Sequence, residues 1–157
     1  RDRDYDACFD LATCWYDSLN YLLETADLEQ ALAGACRAVR SGGLFVFDMN
    51  TVYGLAVGWQ RQACYVQQDT PTLLEIHRPS FDYERGIATL HITGFAQEGG
   101  RWSRMDEIHR QRAYPLAEIR ACCERAGWQE MACWGSLQEM TEPQPDSGRV
   151  WFVLRKG

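Results

Sequence analysis

Four polar side chains follow two short apolar segments of the sequence. The first segment runs from Phe9 to Trp15 and the second from Leu44 to Met49. A carboxylate beside a ligand can accept a proton from an amine or a hydroxyl group, or it can stabilise a positive charge. The polar residues are Asp17 and Asn20 after the first segment, and Asp48 and Asn50 at the end of the second.

The elements between these segments predict that the polar residues share one edge of a sheet. Helical spacing is carried by Leu28, Leu32, Cys36 and Val39. Gly42 and Gly43 follow and are predicted to end that helix. A closely joined strand, helix and strand imply parallel strands with a right-handed crossover. Ligands bind at the carboxyl ends of such strands, so Cys14, Trp15 and the four polar residues are predicted to lie on the rim of a pocket.

Each of these assignments has a structural alternative. Asp17 and Ser18 are also a typical helix cap. The run from Asp48 to Asn50 is also typical of a turn after a strand. Trp15 and Tyr16 are aromatic residues that an ordinary core or its margin would use.

After Asn50 the pattern changes to an antiparallel one. Three runs, Thr72–Tyr83, Ile87–Gln97 and Arg101–Tyr114, are separated by Glu84-Arg85-Gly86 and Glu98-Gly99-Gly100, which predict hairpin turns. Cys64–Gln67 is predicted to add a fourth strand. Pro115 then suits the first turn of a second helix, and Trp128–Ser136 and Val150–Arg155 are predicted to be two closing strands.

Composition excludes several classes of function. The chain has 157 residues, the size of one domain, with a net charge of −6. It lacks the basic stripe that nucleic acid requires, and no apolar run is long enough for a bilayer. Seven cysteines, none in a CxxC pair, predict a reducing cytoplasm and no metal site. Because the sequence begins with Arg1 and not with Met, we expect a fragment or a processed chain.

Three segments carry a resemblance to a known family. FDLATCWYDSLNYL, VRSGGLFVFDMNT and DEIHRQRAYPLAEIRACCERAGW resemble the later part of class I S-adenosylmethionine-dependent methyltransferases. The resemblance covers almost the whole chain and implies an α/β, Rossmann-like sheet. Of the family order 3-2-1-4-5-7-6, strands 4-5-7-6 would be present and strands 1–3 missing. Residues 1–157 would form a single, partial domain, and residues 61–114 an antiparallel β-meander insertion that serves as a lid or an interface.

The resemblance also implies a cofactor and a set of site residues. S-adenosylmethionine would be the methyl donor and a small molecule the acceptor. Asp17 and Asp48 would be catalytic, and Cys14, Trp15 and Arg3 would bind the cofactor. Asn20, Asn50, Tyr53 and His109 would bind the acceptor. One departure is large, because the family's glycine-rich cofactor loop, of the type GxGxG, is absent from the sequence.

This departure leaves a second hypothesis open, in which the chain is a truncated, non-catalytic remnant acting as an oligomeric binding protein. Without strand 1, the strand over residues 9–15 would be an exposed apolar edge, which is prone to associate. A homodimer, or association through that edge or through the β insertion, is therefore predicted.

The remaining histidines and arginines have simpler interpretations. His77 and His91 lie on alternating strands, where cross-strand packing is the expected role. Arg104, Arg110 and Arg112 are interspersed with Asp106 and Glu107 and are predicted to form a solvated sheet face.

Overall fold

Two four-stranded sheets make up the fold in the computed structural model, which describes residues 5–157. The first sheet contains β1 (Phe9–Cys14), β2 (Val39–Asn50), β7 (Trp128–Trp134) and β8 (Arg149–Lys156). Their order is β1-β2-β8-β7, which corresponds to family strands 4-5-7-6. The predicted fold class and strand order are therefore confirmed.

The pairing of these strands brings three strand ends to one edge of the sheet. β1 and β2 are parallel, with Leu11 opposite Leu44 and Cys14 opposite Phe47, and α1 (Thr25–Ala38) connects them. β8 is antiparallel to β2, so its first residue, Arg149, lies opposite Asn50. The carboxyl ends of β1 and β2 and the start of β8 consequently meet at a common rim.

Both helices cover one face of this sheet. α1 and α2 (Leu116–Arg125) contact each other, and alternate residues of β2 pack beneath them. Burial of each such side chain contributes about 1.5–3 kcal/mol. The Trp128 indole N–H also donates to the carbonyl of Leu32 at 3.0 Å. The core side chains on this face include Phe45, Phe47, Met49, Leu28, Leu32 and Ile119.

The helix α1 ends earlier than predicted. Its last residue is Ala38, and Val39 already has extended backbone angles and pairs with Phe9 of β1. Gly42 and Gly43 therefore lie inside β2 and do not cap the helix. The pairing of Val39 with β1 takes the backbone away from the helix before the glycines are reached.

The second sheet lies within the predicted insertion. It consists of β3 (Tyr65–Thr70), β4 (Leu73–Asp82), β5 (Ile87–Glu98) and β6 (Arg101–Arg112), paired antiparallel in sequence order. Gly86, Gly99 and Gly100 adopt the positive φ angles that the two hairpin turns require. Its role as a lid or an interface stays a prediction. No helix in the described residues is long and apolar enough to cross a membrane.

Arg112 differs from its prediction as a solvated residue. Its guanidinium lies 3.0 Å from Glu118 of α2, donates to Thr25 at 3.0 Å, and sits over the ring of Tyr114. Because β6 leads directly into α2, its last arginine joins the second sheet to α1 and α2, whereas Arg104 remains exposed beside Asp106.

Candidate functional site

The rim begins with a strained turn at the end of β1. Tyr16 and Asp17 both adopt left-handed backbone angles, with φ of 59° and 50°. Such angles are costly for residues other than glycine and persist only where surrounding contacts impose them. Here the turn aims the Asp17 amide N–H at the Asp48 carboxylate, 3.0 Å away. The strain is thus offset by a contact between the two predicted catalytic residues.

Asp17 and Asp48 are joined by a third residue, Arg149. Its guanidinium donates to Asp17 at 2.6 Å and also to Asp48. Asp17 occupies the N-cap position of the following 3₁₀ turn, but its side chain makes no cap hydrogen bond, so capping does not account for the placement of its carboxylate. The turn alternative for Asp48 to Asn50 is wrong, because these residues belong to β2 and pair with β8.

A buried amide network continues the rim behind the carboxylates. Asn20, in the short 3₁₀ turn Ser18–Tyr21, is fully buried and donates to the carbonyls of Asn50 (3.1 Å) and Arg112 (2.9 Å). It also accepts the amide N–H of Asn50 at 2.9 Å. The Asn50 side chain donates to Gln111 at 2.9 Å, and Gln111 donates onward to Asp17. Both sheets are therefore locked together through this rim.

A groove of about 580 Å³ opens in front of the carboxylates. Trp15 and Tyr16 are 44% and 85% exposed at its mouth, which is unusual for rings of this size. Cys14 lies just behind them, and burial raises the pKa of its thiol, so it behaves as a small apolar residue. The groove is lined by Trp15, Tyr16, Asp48, Leu137, Arg149 and Trp151.

The other predicted site residues lie in different places. Tyr53 lines a separate cavity of about 310 Å³ between the end of β2, α2 and the loop before β8. Tyr114 lines the same cavity. Burial raises the pKa of Tyr114 to about 12, and its hydroxyl donates to the carbonyl of Leu22 at 2.6 Å. His109 lies on β6 and contacts Tyr21. Arg3 lies outside the described residues. Within residues 5–157 no group of histidine, cysteine and carboxylate side chains has metal-binding geometry.

Comparison with known proteins bears on this arrangement. No family model matches the chain. The chain is 26% identical over 153 residues to YqeM of Bacillus subtilis (strain 168), whose name assigns it provisionally to the methyltransferases. The match covers 97% of this chain and 60% of YqeM. An S-adenosylmethionine-dependent methyltransferase from Clostridium acetobutylicum ATCC 824 superimposes with a TM-score of 0.87, at 22% identity, over 99% of this chain and 61% of that one.

The likeness to the class I S-adenosylmethionine-dependent methyltransferases is confirmed. A further structure with this methyltransferase fold is KedS8 from Streptoalloteichus sp. ATCC 53650, a sugar N-methyltransferase. It gives a TM-score of 0.72 at 19% identity, over 99% of this chain and 59% of KedS8. The chain spans about 60% of the length of the curated relatives it matches.

The methyltransferase cofactor, S-adenosylmethionine, fits one wall of the groove. The exposed rings of Trp15 and Tyr16 offer an apolar surface, and Asp48 offers a carboxylate on the same side. An aromatic face attracts a sulfonium cation, and a carboxylate attracts an ammonium group. The glycine-rich loop that brings backbone close to the cofactor has no counterpart in the 157 residues. The resemblance therefore supports S-adenosylmethionine as the cofactor.

Sequence reasoning missed two residues of the rim. Arg149 precedes the predicted closing strand, and Gln111 lies in the middle of a polar run. One signal was available for Arg149. In the family order, the last strand runs antiparallel to the strand that carries Asp48 near its end, so the first residue of the last strand must lie near that carboxylate.

Replacing Arg149 with alanine is expected to lower the free energy of unfolding by about 2–3 kcal/mol, which is less than for a fully buried pair because the guanidinium is partly exposed. The variant leaves Asp17 and Asp48 facing each other without a cation. For a domain of this size the melting temperature should fall by about 5–10 °C. Arg155→Ala, which removes an exposed arginine from the same strand, is the matched control. Equal losses for the two variants in thermal unfolding would contradict a special role for Arg149.

Proposed function

We propose that this chain is the acceptor-side part of an S-adenosylmethionine-dependent methyltransferase that acts on a small molecule. The observation that carries the proposal is the Asp17–Arg149–Asp48 cluster, held at the carboxyl ends of two parallel strands beside an aromatic groove. The fold comparisons support the reaction class, and the sugar acceptor in the KedS8 name supports a small-molecule acceptor.

Methyl transfer depends mainly on positioning. The cofactor supplies an electrophilic methyl group on a sulfonium, and the protein must hold the acceptor atom in line with it. We assign Cys14 and Trp15 to the cofactor's methionine side. Asp17 and Asp48 would fix the acceptor, with the amides of Asn20 and Asn50 behind them. Since Asn20 is fully buried, its role is to hold the rim and not to contact the acceptor directly.

The alternative function, an oligomeric binding protein without catalysis, is favoured by one observation. β1 forms an edge of the first sheet, and among the described residues no strand pairs with its outer side. Phe9 and Leu11 on this strand are 41% and 51% exposed. An apolar parallel-type edge of this kind is a surface on which another chain can pair.

Calorimetry with S-adenosylmethionine and S-adenosylhomocysteine, combined with sedimentation of the free protein, separates the two functions. The proposal predicts micromolar binding, weakened about tenfold by Trp15→Ala through loss of one aromatic contact. Trp102→Ala removes a tryptophan of similar exposure from the second sheet and should leave binding unchanged. Absence of binding would contradict the proposal, and a stable dimer without binding would support the alternative. Micromolar binding would contradict the alternative.

A further inference from the structure

Three side chains, those of Tyr21, His109 and Glu107, form a hydrogen-bonded series beside the rim, separate from the carboxylate cluster. The Tyr21 hydroxyl lies 2.9 Å from His109 Nδ1, and His109 Nε2 lies 2.9 Å from the Glu107 carboxylate. Because a carboxylate only accepts, the Nε2 atom carries the proton of a neutral His109. Nδ1 is then free to accept, and the tyrosine hydroxyl donates to it. Tyr21 remains 45% exposed, so its oxygen is accessible to a ligand.

Strand geometry places these three side chains close to the carboxylate cluster, although they are not among the residues that line the groove. We call the region between the two groups the cleft. His109 and Gln111 are two residues apart on β6, which is about 7 Å along an antiparallel strand, and they point to the same side. Gln111 contacts Asp17, whereas His109 contacts Tyr21. We name this side of the second sheet its inner face, defined by Glu107, His109 and Gln111.

Charge is distributed unevenly between the two faces of the second sheet. On the inner face, the charged side chains between the hairpin turns are Glu75 and Glu107, each hydrogen-bonded to a histidine. Glu98 and Arg101 lie opposite each other beside the turn between β5 and β6, and their charges cancel. The rim adds two carboxylates against one guanidinium. The opposite face carries both signs, with Arg78, Arg104, Arg110 and Arg112 beside Asp69, Asp82 and Asp106, so strand alternation and pairing leave it without an excess of negative charge.

This distribution favours a cationic ligand in the cleft over an acid or a phosphate. An amine suits it, since the ammonium group of a lysine side chain has a pKa of about 10.4 and is charged at neutral pH. An ammonium has no lone pair, however, and cannot receive a methyl group until it loses a proton. The site must therefore contain a proton acceptor.

Asp17 and Asp48 are poor candidates for that proton acceptor. Asp17 accepts hydrogen bonds from Arg149 and Gln111, and Asp48 accepts them from Arg149 and the Asp17 amide. A proton on either carboxylate would break an ion pair in a largely buried position. His109 has an unprotonated nitrogen, Nδ1, which accepts the Tyr21 hydroxyl and is reached from the cleft through it.

We propose that the acceptor is a small molecule bearing a protonated amine, bound at the Tyr21 hydroxyl, and that His109 takes its proton. One N–H bond breaks at the amine, whose nitrogen keeps the electron pair. The Tyr21 oxygen gains that proton and passes its own to His109 Nδ1, where a new N–H bond forms. Glu107 stabilises the resulting imidazolium, which returns the proton to solvent. The inference rests on the proposed function and names its substrate class.

Binding of matched small molecules tests this inference without any turnover. The ¹⁵N-labelled chain is titrated at millimolar concentration with a panel of primary amines, the alcohols of the same shape, and the corresponding carboxylates. We expect the amines to shift the signals of Tyr21 and His109, and the alcohols and carboxylates to do so at least fivefold more weakly. Equal binding by the alcohols, or no shift with any amine, would overturn the inference.

Two variants on neighbouring residues of β6 make the test specific. Glu107→Gln should weaken amine binding about fivefold, which corresponds to roughly 1 kcal/mol for one exposed charge pair. It should also weaken the preference of His109 for the Nε2–H tautomer, because an amide oxygen accepts this hydrogen bond less strongly than a carboxylate. Long-range ¹H–¹⁵N spectra report the tautomer directly. Asp106→Asn removes a carboxylate from the opposite face and should change neither quantity. The same loss in both variants would indicate a general charge effect and contradict the inference.

Failure of this inference can be told apart from failure of the proposed function. S-adenosylhomocysteine is added to the same sample, and its shifts are mapped. Cofactor product binding near Trp15 without amine binding would overturn the amine inference and leave the proposed function standing. Amine binding at Tyr21 without product binding would overturn the proposed function and leave a binding site for amines.

Discussion

The variant Asn20→Ala is expected to lose about 3–5 kcal/mol of unfolding free energy, because removal of each partner of a buried polar group costs about 1–3 kcal/mol. The Asn20 side chain makes three hydrogen bonds, all to backbone groups. Two of these groups belong to Asn50 and one to Arg112, so the loss falls on both sheets. A total stability of about 5–15 kcal/mol makes this a large fraction of the whole.

Urea unfolding followed by tryptophan fluorescence measures the loss. Ser18→Ala is the matched control, since Ser18 lies in the same 3₁₀ turn and makes one exposed hydrogen bond, to Trp15 at 2.6 Å. We expect it to cost about 0.5–1.5 kcal/mol, the usual net value of one hydrogen bond. If Asn20→Ala were no more destabilising than Ser18→Ala, the amide network would not be what joins the sheets.

Periodicity and turn chemistry were sufficient to predict the elements and much of their order. The apolar segments ending at Trp15 and Met49, with a helix between them, allow little besides a parallel crossover. The Glu84-Arg85-Gly86 and Glu98-Gly99-Gly100 turns fix the meander in the same local way. The order of β8 and β7 came from the family resemblance, because local pattern does not specify which strands pair across long connections.

The composition of the rim was less predictable than its position. Asp17, Asp48, Asn20 and Asn50 were selected because they follow strands, and the structure brings all four together. Their partners Arg149 and Gln111 are between 61 and 132 residues away along the chain. Such contacts depend on the register of β8 against β2 and on the docking of β6, and neither is encoded in the spacing of nearby residues.

The strained backbone at Tyr16 and Asp17 was also invisible in the sequence. Tyr16 is not a residue type that commonly adopts left-handed angles, and Asp17, whose type is enriched there, gives only a weak signal by itself. The conformation is imposed by long-range contacts, chiefly from the Asp17 amide to Asp48 and from its carboxylate to Arg149. Local propensity is overruled at this point, as is frequent at functional sites.

Replacement of Gly54 with alanine should have an effect comparable to that of Asn20→Ala. A Cβ atom on Gly54 would overlap the carbonyl oxygen of Gly148, which is backbone and cannot move aside as a flexible side chain does. That carbonyl also accepts the amide N–H of Thr51 at 3.2 Å. Because overpacking against rigid backbone exceeds the usual range, we expect a cost of about 3 kcal/mol or more in unfolding free energy.

The Gly54→Ala substitution should also disturb the rim, because Gly148 immediately precedes Arg149 and Thr51 immediately follows Asn50. Movement of this loop would pull the guanidinium away from Asp17 and Asp48, so binding at the groove should weaken together with stability. Gly58→Ala is a close control in the same helical segment, Gly54–Gly58. Its Cβ would meet only the Tyr53 carbonyl at 3.8 Å, and its φ of −57° suits alanine. We expect a gain of about 0.5–1 kcal/mol there from reduced chain entropy. Similar denaturation midpoints for the two variants would show that the close approach of Gly54 to Gly148 does not hold the rim in place.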